Sequence, residues 1–318
     1  MSSMIGDFYY DSCGMGRIRA RVWEPEGNIR AIVQIVHGIA EHVGRYDDYA
    51  RWMTRQGFLV VAEDHMGHGR SIGVEGIQGY FHGGWFAAVE DTYSLLKRTM
   101  RDHPGVPYFL FGHSMGSFMA RTILARHPDS GITGCIICGT AWQPKALLSA
   151  AIPMAKVACM GGGDKRPSPA LQTVMFGSYN QRVEHKRTPS DWLSRDTKIV
   201  DAYEADPACG FTATAGLYRD MLQGIAYVQE PKTLAAMKKQ TPILFTAGSE
   251  DPVGAYGKGV EEAFKAFLSV GMEKVKLKLY PLCRHEILNE INRQQVYEDI
   301  LNWIAACIRD IPVLESEE

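Results

Sequence analysis

The sequence predicts an α/β fold: a mostly parallel central sheet with helices on both faces and a helical cap inserted between two of its strands. Three observations predict it. Short, nearly continuous apolar runs recur along the chain, as strands buried on both faces require. Segments with helical spacing separate them, and strand followed by helix, repeated, builds a parallel sheet covered on both sides. The alternation lapses once, between residues 141 and 240, and resumes at Thr241.

Strands are expected at 18–23, 31–36, 58–62, 108–111, 132–138, 243–247 and 275–280. Between them, Val260, Ala263, Phe264, Phe267 and Leu268 follow the i, i+3, i+4, i+7, i+8 stripe of a helix lying on a sheet. Met115, Phe118, Met119 and Ile123 repeat that pattern until Pro128 stops it. The 141–240 stretch holds Pro144, Pro153, Pro167, Pro169, Pro189, Pro207 and Pro231, a Gly161-Gly162-Gly163 run, and helical fragments without strand patterns. The expected division is a core of 1–140 and 241–318 with a cap of 141–240. Neither an internal repeat nor a low-complexity tract is evident.

Composition narrows the function classes. Of 318 residues, 46% are hydrophobic and 22% charged, the balance of a globular chain with a sizeable core. Lys+Arg 34 against Asp+Glu 36 gives a formal charge of −2, so nothing advertises nucleic acid, and no acidic block precedes the final 315–318. The first 21 residues lack the apolar run of a secretory signal. The longest oily stretch, 146–160, is broken by Pro153 and Lys156 and falls short of the roughly 18 apolar residues of a membrane span. Seven cysteines, few and odd in number, fit a reducing compartment and a cytoplasmic location.

One motif stands above the rest. Gly112-His113-Ser114-Met115-Gly116 follows the apolar run 108–111 and opens the helix that begins at Met115. In that context Gly-x-Ser-x-Gly is a nucleophile elbow: a sharp strand-to-helix turn that lifts the serine hydroxyl above the sheet edge. Its flanking positions must be small so that strand and helix can approach. A serine needs a base, and the base an orienting carboxylate, in the chain order Ser, Asp or Glu, His. Of ten histidines only His285 lies beyond the last strand carboxylates, in the loop Pro281-Leu282-Cys283-Arg284-His285. The run 243–247 ends in Gly248-Ser249-Glu250-Asp251-Pro252, where Asp251 is the preferred acid and Glu250 its rival. All three candidates fall at carboxyl ends of strands, where this architecture gathers its functional loops. An oxyanion hole needs two N–H donors. Met115, after the nucleophile, supplies one, and Ile39 in the loop His37-Gly38-Ile39-Ala40-Glu41-His42 supplies the other, with His37 and Gly38 supporting that loop.

The chain resembles the monoacylglycerol lipase and lysophospholipase branch of the α/β-hydrolase superfamily. The matching pieces are 37–42 with Arg45-Tyr46, Asp64-His65-Met66-Gly67-His68-Gly69-Arg70-Ser71, the elbow, Gly248-Ser249-Glu250-Asp251, and Arg284-His285-Glu286. The resemblance implies the triad Ser114, Asp251 and His285, with Ile39 and Met115 as oxyanion donors. It further implies that Glu41 and Arg45 lie near the pocket for the substrate's polar head. The 141–240 stretch corresponds to that family's cap, where no residue-by-residue match can be drawn.

Weaker signals carry less. Gly67-x-Gly69 lacks the third glycine and the helix of a dinucleotide site. The 161–165 run is not a phosphate loop. The pairs His37/His42 and His65/His68 lack the partners of a zinc site. Cys135 and Cys138 have redox spacing, but in a strand positions i and i+3 face opposite ways, so they read as buried thiols. Leu147, Leu148, Ala151 and Ile152 have amphipathic spacing suited to packing over the pocket and to contact with lipid aggregates.

The resulting expectation is a serine esterase with an acyl-enzyme intermediate, needing no metal or organic cofactor. Its substrate would be an acylglycerol or lysophospholipid ester. The alternatives are a short-chain or aromatic-ester carboxylesterase, a proline-type aminopeptidase, or a binding protein that kept the fold and lost turnover. Expected partners are the small-molecule or lipid ester and, through the cap, a membrane surface.

Overall fold

The computed structural model describes residues 4–73 and 75–310. The acidic end at 315–318 lies outside them. Eight strands form one sheet in the order β1-β2-β4-β3-β5-β6-β7-β8. They are β1 Met4–Asp11, β2 Arg17–Glu24, β3 Ala31–Val36, β4 Phe58–Glu63, β5 Tyr108–His113, β6 Gly134–Cys138, β7 Ile243–Gly248 and β8 Val275–Tyr280. The pairs β1/β2 and β2/β4 are antiparallel and the rest are parallel.

Strands β3 to β7 are buried at every position, which is why their sequences read as unbroken apolar runs. Strand β1 was not expected. It is an edge strand, mostly exposed, with only a broken polar alternation to betray it. Asp7 on it pairs with Arg19 and Arg21 of β2, at 2.8 Å each.

Helices cover both faces. On one side α2 (Gly84–Asp102), α3 (Met115–Arg126) and α9 (Lys258–Ser269) contribute Trp85, Phe118, Met119, Val260 and Phe267 to a core with Val36, Leu110 and Phe245. On the other, α1 (Asp47–Arg55) and α10 (Arg293–Arg309) bring Tyr49, Met53, Val296 and Ile300 against Val33, Val60 and Phe111. Cys135 belongs to the first core and Cys138 to the second, as strand geometry requires. Among the described residues, no helix is long and apolar enough to cross a membrane.

Between β6 and β7 run α4 (Lys145–Ala158), α5 (Pro169–Phe176), α6 (Thr197–Ala205), α7 (Ala215–Val228) and α8 (Pro231–Ala236). Helix α7 packs against α2 and α3 as part of the first core, with Tyr218, Met221, Leu222 and Ile225 buried. The two roots of this excursion are tied by Arg121 on α3. Its buried guanidinium donates to Ala141 O at 3.1 Å, just after β6, and to Val228 O at 3.3 Å, the end of α7. Burial pushes its pKa down to about 9.

Candidate active site

Ser114 sits between β5 and α3 with φ 53° and ψ −121°, a left-handed conformation costly for a residue with a side chain. Its N–H donates to Cys138 O at 3.0 Å, which holds the turn to β6. Crossing is permitted only by glycine: a Cβ on Gly116 would fall 2.0 Å from Val36 O, the end of β3. Among the described residues, the N–H groups of Ile39 and Met115 donate to no protein acceptor; Met115 follows Ser114 directly, and a Cβ on Gly38, the residue before Ile39, would fall 3.1 Å from Ser114 Cβ. Ile39 and Ser114 line the same cavity.

Asp251, at the end of β7, is fully buried and accepts from His285 Nδ1 at 2.9 Å through Oδ2. Its Oδ1 accepts from Val253 N–H at 2.9 Å. Gly248 lets the two loops meet, since a Cβ there would come within 2.0 Å of Cys283 O. Glu250 is exposed and makes no hydrogen bond to His285. His285 Nε2 is buried without a hydrogen-bond partner, facing the cavity that Ser114 also lines.

Burial by itself would drive the imidazole of His285 toward its neutral form. The charge and hydrogen bond of Asp251, helped by Glu286 and Glu41, outweigh burial and raise its pKa above the usual 6.5. His113, whose ring lies 4.6 Å from that of His285, is pushed well below 6.5 by burial, by His285 and by Arg45, and stays neutral.

The loop after β3 is braced by histidines. His37 Nε2 accepts from His65 N–H at 3.0 Å, so its Nδ1 carries the proton donated to Gly38 O at 2.7 Å. His42 Nδ1 accepts from Gly44 N–H, so its Nε2 donates to Asp206 at 2.8 Å. Cys209 lies close to that pair. With both ring nitrogens engaged, His42 has no lone pair left for an ion.

Glu41 and Arg45 are placed differently from one another. Glu41 is buried and lines the cavity; its Oε1 accepts from Gly38 N–H at 2.5 Å and Tyr46 OH at 2.9 Å. Arg45 stands behind the cavity lining. It grips Glu286 with two bonds, 2.5 and 2.7 Å, and Glu41 with one of 3.1 Å, and lies 4.7 Å over the Tyr203 ring.

The cavity measures about 600 Å³, within the roughly 300–1,000 Å³ of small-molecule sites. Residues 172–218 supply much of its lining: Phe176, Asn180, Trp192, Leu193, Tyr203, Glu204, Phe211 and Tyr218. None of these was assigned from the sequence. Their aromatic density was visible, but which of them face Ser114 depends on how unpatterned segments fold back. Glu286, next to the histidine, was also passed over.

Sheet order, elbow and the Asp251–His285 pair on adjoining loops define an α/β-hydrolase. The family described as "Serine aminopeptidase, S33" matches residues 27–292. A monoacylglycerol lipase of Mycolicibacterium smegmatis is 30% identical over 316 residues, covering 96% of this chain and 99% of that one. A human monoglyceride lipase is 28% identical, covering 90% of this chain and 86% of its own. A thermostable carboxyl esterase from Bacillus coagulans, solved in complex with glycerol, superposes with a TM-score of 0.89 at 32% identity, covering 97% and 99%. The chain belongs to the monoacylglycerol lipase branch of the α/β-hydrolases and is a hydrolase of carboxylic esters.

Proposed function

We propose that the chain is a serine esterase acting on acylglycerol- or lysophospholipid-type esters through Ser114, His285 and Asp251. His285 Nε2 takes the Ser114 proton as Oγ attacks the ester carbonyl. Asp251 keeps the proton on Nδ1 and favours the imidazolium that forms. The N–H groups of Ile39 and Met115 receive the oxyanion. Collapse breaks the bond to the alcohol, which leaves with the His285 proton. Water, activated by the same imidazole, then releases the acid from Ser114. This sequence requires no metal or organic cofactor.

The observation that carries the reading is the shared cavity. Ser114, Ile39 and His285 open onto one space whose other walls include Phe176, Leu193, Phe211 and Tyr218, surfaces suited to an acyl chain, and Glu41, a group suited to a hydroxylated head. The names of the mycobacterial and human relatives favour a monoacylglycerol; that of the Bacillus coagulans structure, a carboxyl esterase, leaves a carboxylesterase acting on short esters as a second reading. Acid release from monoacylglycerols of increasing chain length, with Ser114→Ala as blank, separates them. A kcat/KM that peaks at medium or long chains is expected, and activity confined to the shortest chains moves the substrate to small esters.

The division into a core of 1–140 and 241–318 and a cap of 141–240 belongs to the same reading, with α7 as the cap's root in the core. The cap is also the surface proposed to meet lipid. Leu148, Ala151 and Ala155 of α4 point inward, whereas Leu147, Met154, Val157 and the following Met160 are exposed, the last two by 65% and 73%. Lys145 precedes them and Lys156 lies among them, and no acidic residue occurs from 145 to 163. All seven cysteines are free, which supports the cytoplasmic location. Vesicle co-sedimentation that survives Leu147→Ser with Val157→Ser defeats the lipid contact.

A further inference from the structure

The loops carrying Ile39 and His285 are joined by a buried ionic chain. From His285 it passes to the adjacent Glu286, across the two-bond fork to Arg45, on to Glu41, and from Glu41 Oε1 to the N–H of Gly38, beside Ile39. Two segments of the cap grip its ends. At the histidine end, Glu286 N–H donates to Leu193 O at 2.8 Å and His285 N–H to Trp192 O at 3.4 Å. Arg284 donates to Asp191 O at 2.7 Å and Ser194 O at 3.0 Å. At the other end, Ala40 O accepts from Tyr203 OH at 3.1 Å and from Gly210 N–H at 3.0 Å, while the Tyr203 ring covers Arg45.

We propose that Glu286, Arg45 and Glu41 are positioning residues that lock the oxyanion loop and the histidine loop into one geometry, with cap segments 191–195 and 203–210 as its clamps. This rests on the Ser114–His285 reading and adds two things to it. The cap becomes part of the catalytic frame rather than only a wall. The base also gains a second source of negative charge besides Asp251, because two carboxylates share one guanidinium.

The charged and titratable groups around His285 include Asp251 after β7, Glu286 on its own loop, Glu41 and Arg45 on the loop after β3, and neutral His113 at the end of β5. Cys138 at the end of β6 and Tyr179 of the cap face Asp251, and burial keeps both protonated. Arg284, also on the histidine loop, turns its guanidinium to the carbonyls of Asp191 and Ser194. Removing one carboxylate charge from this set disfavours the imidazolium. Replacing the guanidinium by an ammonium keeps the charge and loses the fork.

The test has two readouts: the rate at which a fluorophosphonate labels Ser114 as a function of pH, which reads the base without choosing a substrate, and kcat and KM on a soluble ester. The wild-type rate is expected to rise through a limb above pH 6.5. Glu286→Gln should move that limb to lower pH by about half a unit or more, as loss of a nearby unit charge requires. Arg45→Lys should leave the limb in place and lower kcat roughly ten- to hundred-fold with little change in KM, the cost of misplaced groups. Tyr203→Phe keeps the ring over Arg45, removes only the bond to Ala40, and should lower kcat several-fold with no shift of the limb. It serves where the buried charge variants fold poorly. An unmoved limb in Glu286→Gln, or wild-type turnover in Arg45→Lys and Tyr203→Phe, overturns the positioning chain alone. A wild-type protein that takes up no probe overturns the Ser114–His285 reading, and the chain with it.

Discussion

The excursion between β6 and β7 has two halves that behave unlike each other. The first, with α4 and α5, turns apolar side chains both inward and outward. Its polar ties run to Glu75 through Lys165, to Tyr80 through Asp164, and to 212–213 through Gln172 and Ser168. The second, 191–210, is bound bond by bond to the loops of Ile39 and His285. An apolar surface packs without direction, so the first half can adjust to an acyl chain at small cost. Hydrogen bonds to backbone carbonyls are directional, so the second half fixes distances. One insertion therefore combines a deformable wall with a rigid brace.

The largest expected effect falls outside both halves. Ser114→Ala or Asp251→Asn should lower kcat on a soluble ester by about 10⁴ or more, as in comparable triads, while vesicle binding is unchanged. If catalysis and vesicle binding fall together, the separation of chemistry from lipid contact is wrong. Arg284→Met removes two bonds from the brace and should cost kcat about ten-fold or more at constant KM, measured on the same ester. An effect on KM alone would make the brace another part of the wall. Phe176→Ala, on the deformable side, should raise KM for long-chain esters about ten-fold, near the worth of one buried ring, and leave short esters unaffected. The smallest effect belongs to Glu250→Gln, which should stay within two-fold of wild type because the side chain is exposed. A large loss there would return the orienting role to the rival carboxylate.

The pH dependence follows from the direction of the His285 shift. The imidazole acts as base only when neutral, and its raised pKa keeps it protonated past pH 6.5. Turnover should therefore fall as pH drops through a value above 6.5, a profile measurable in kcat/KM.

Much of this was legible in the chain because it is local. Strands β3 to β7 announce themselves by burial on both faces, and the elbow by glycines that must sit beside the ends of other strands. The pairing of Asp251 with His285, and the acid and base roles proposed for them, follow from chain order and from their places after β7 and β8. Strand β1 was not legible, since an exposed edge strand needs no apolar pattern and owes its position to pairing with β2. The brace was illegible for a different reason. Leu193 and Trp192 act on His285 and Glu286 through backbone carbonyls, and Gly210 acts on Ala40 through its N–H, groups that every residue carries. Arg45 and Glu286 lie 241 positions apart, and nothing in either neighbourhood marks them as a pair. Composition and periodicity determined the sheet and its helices, and the elbow motif with its chain-order rule placed the proposed reacting groups. Only the tertiary structure decided which cap residues face Ser114 and which hold its partners, because those contacts depend on how segments distant in sequence close on one another.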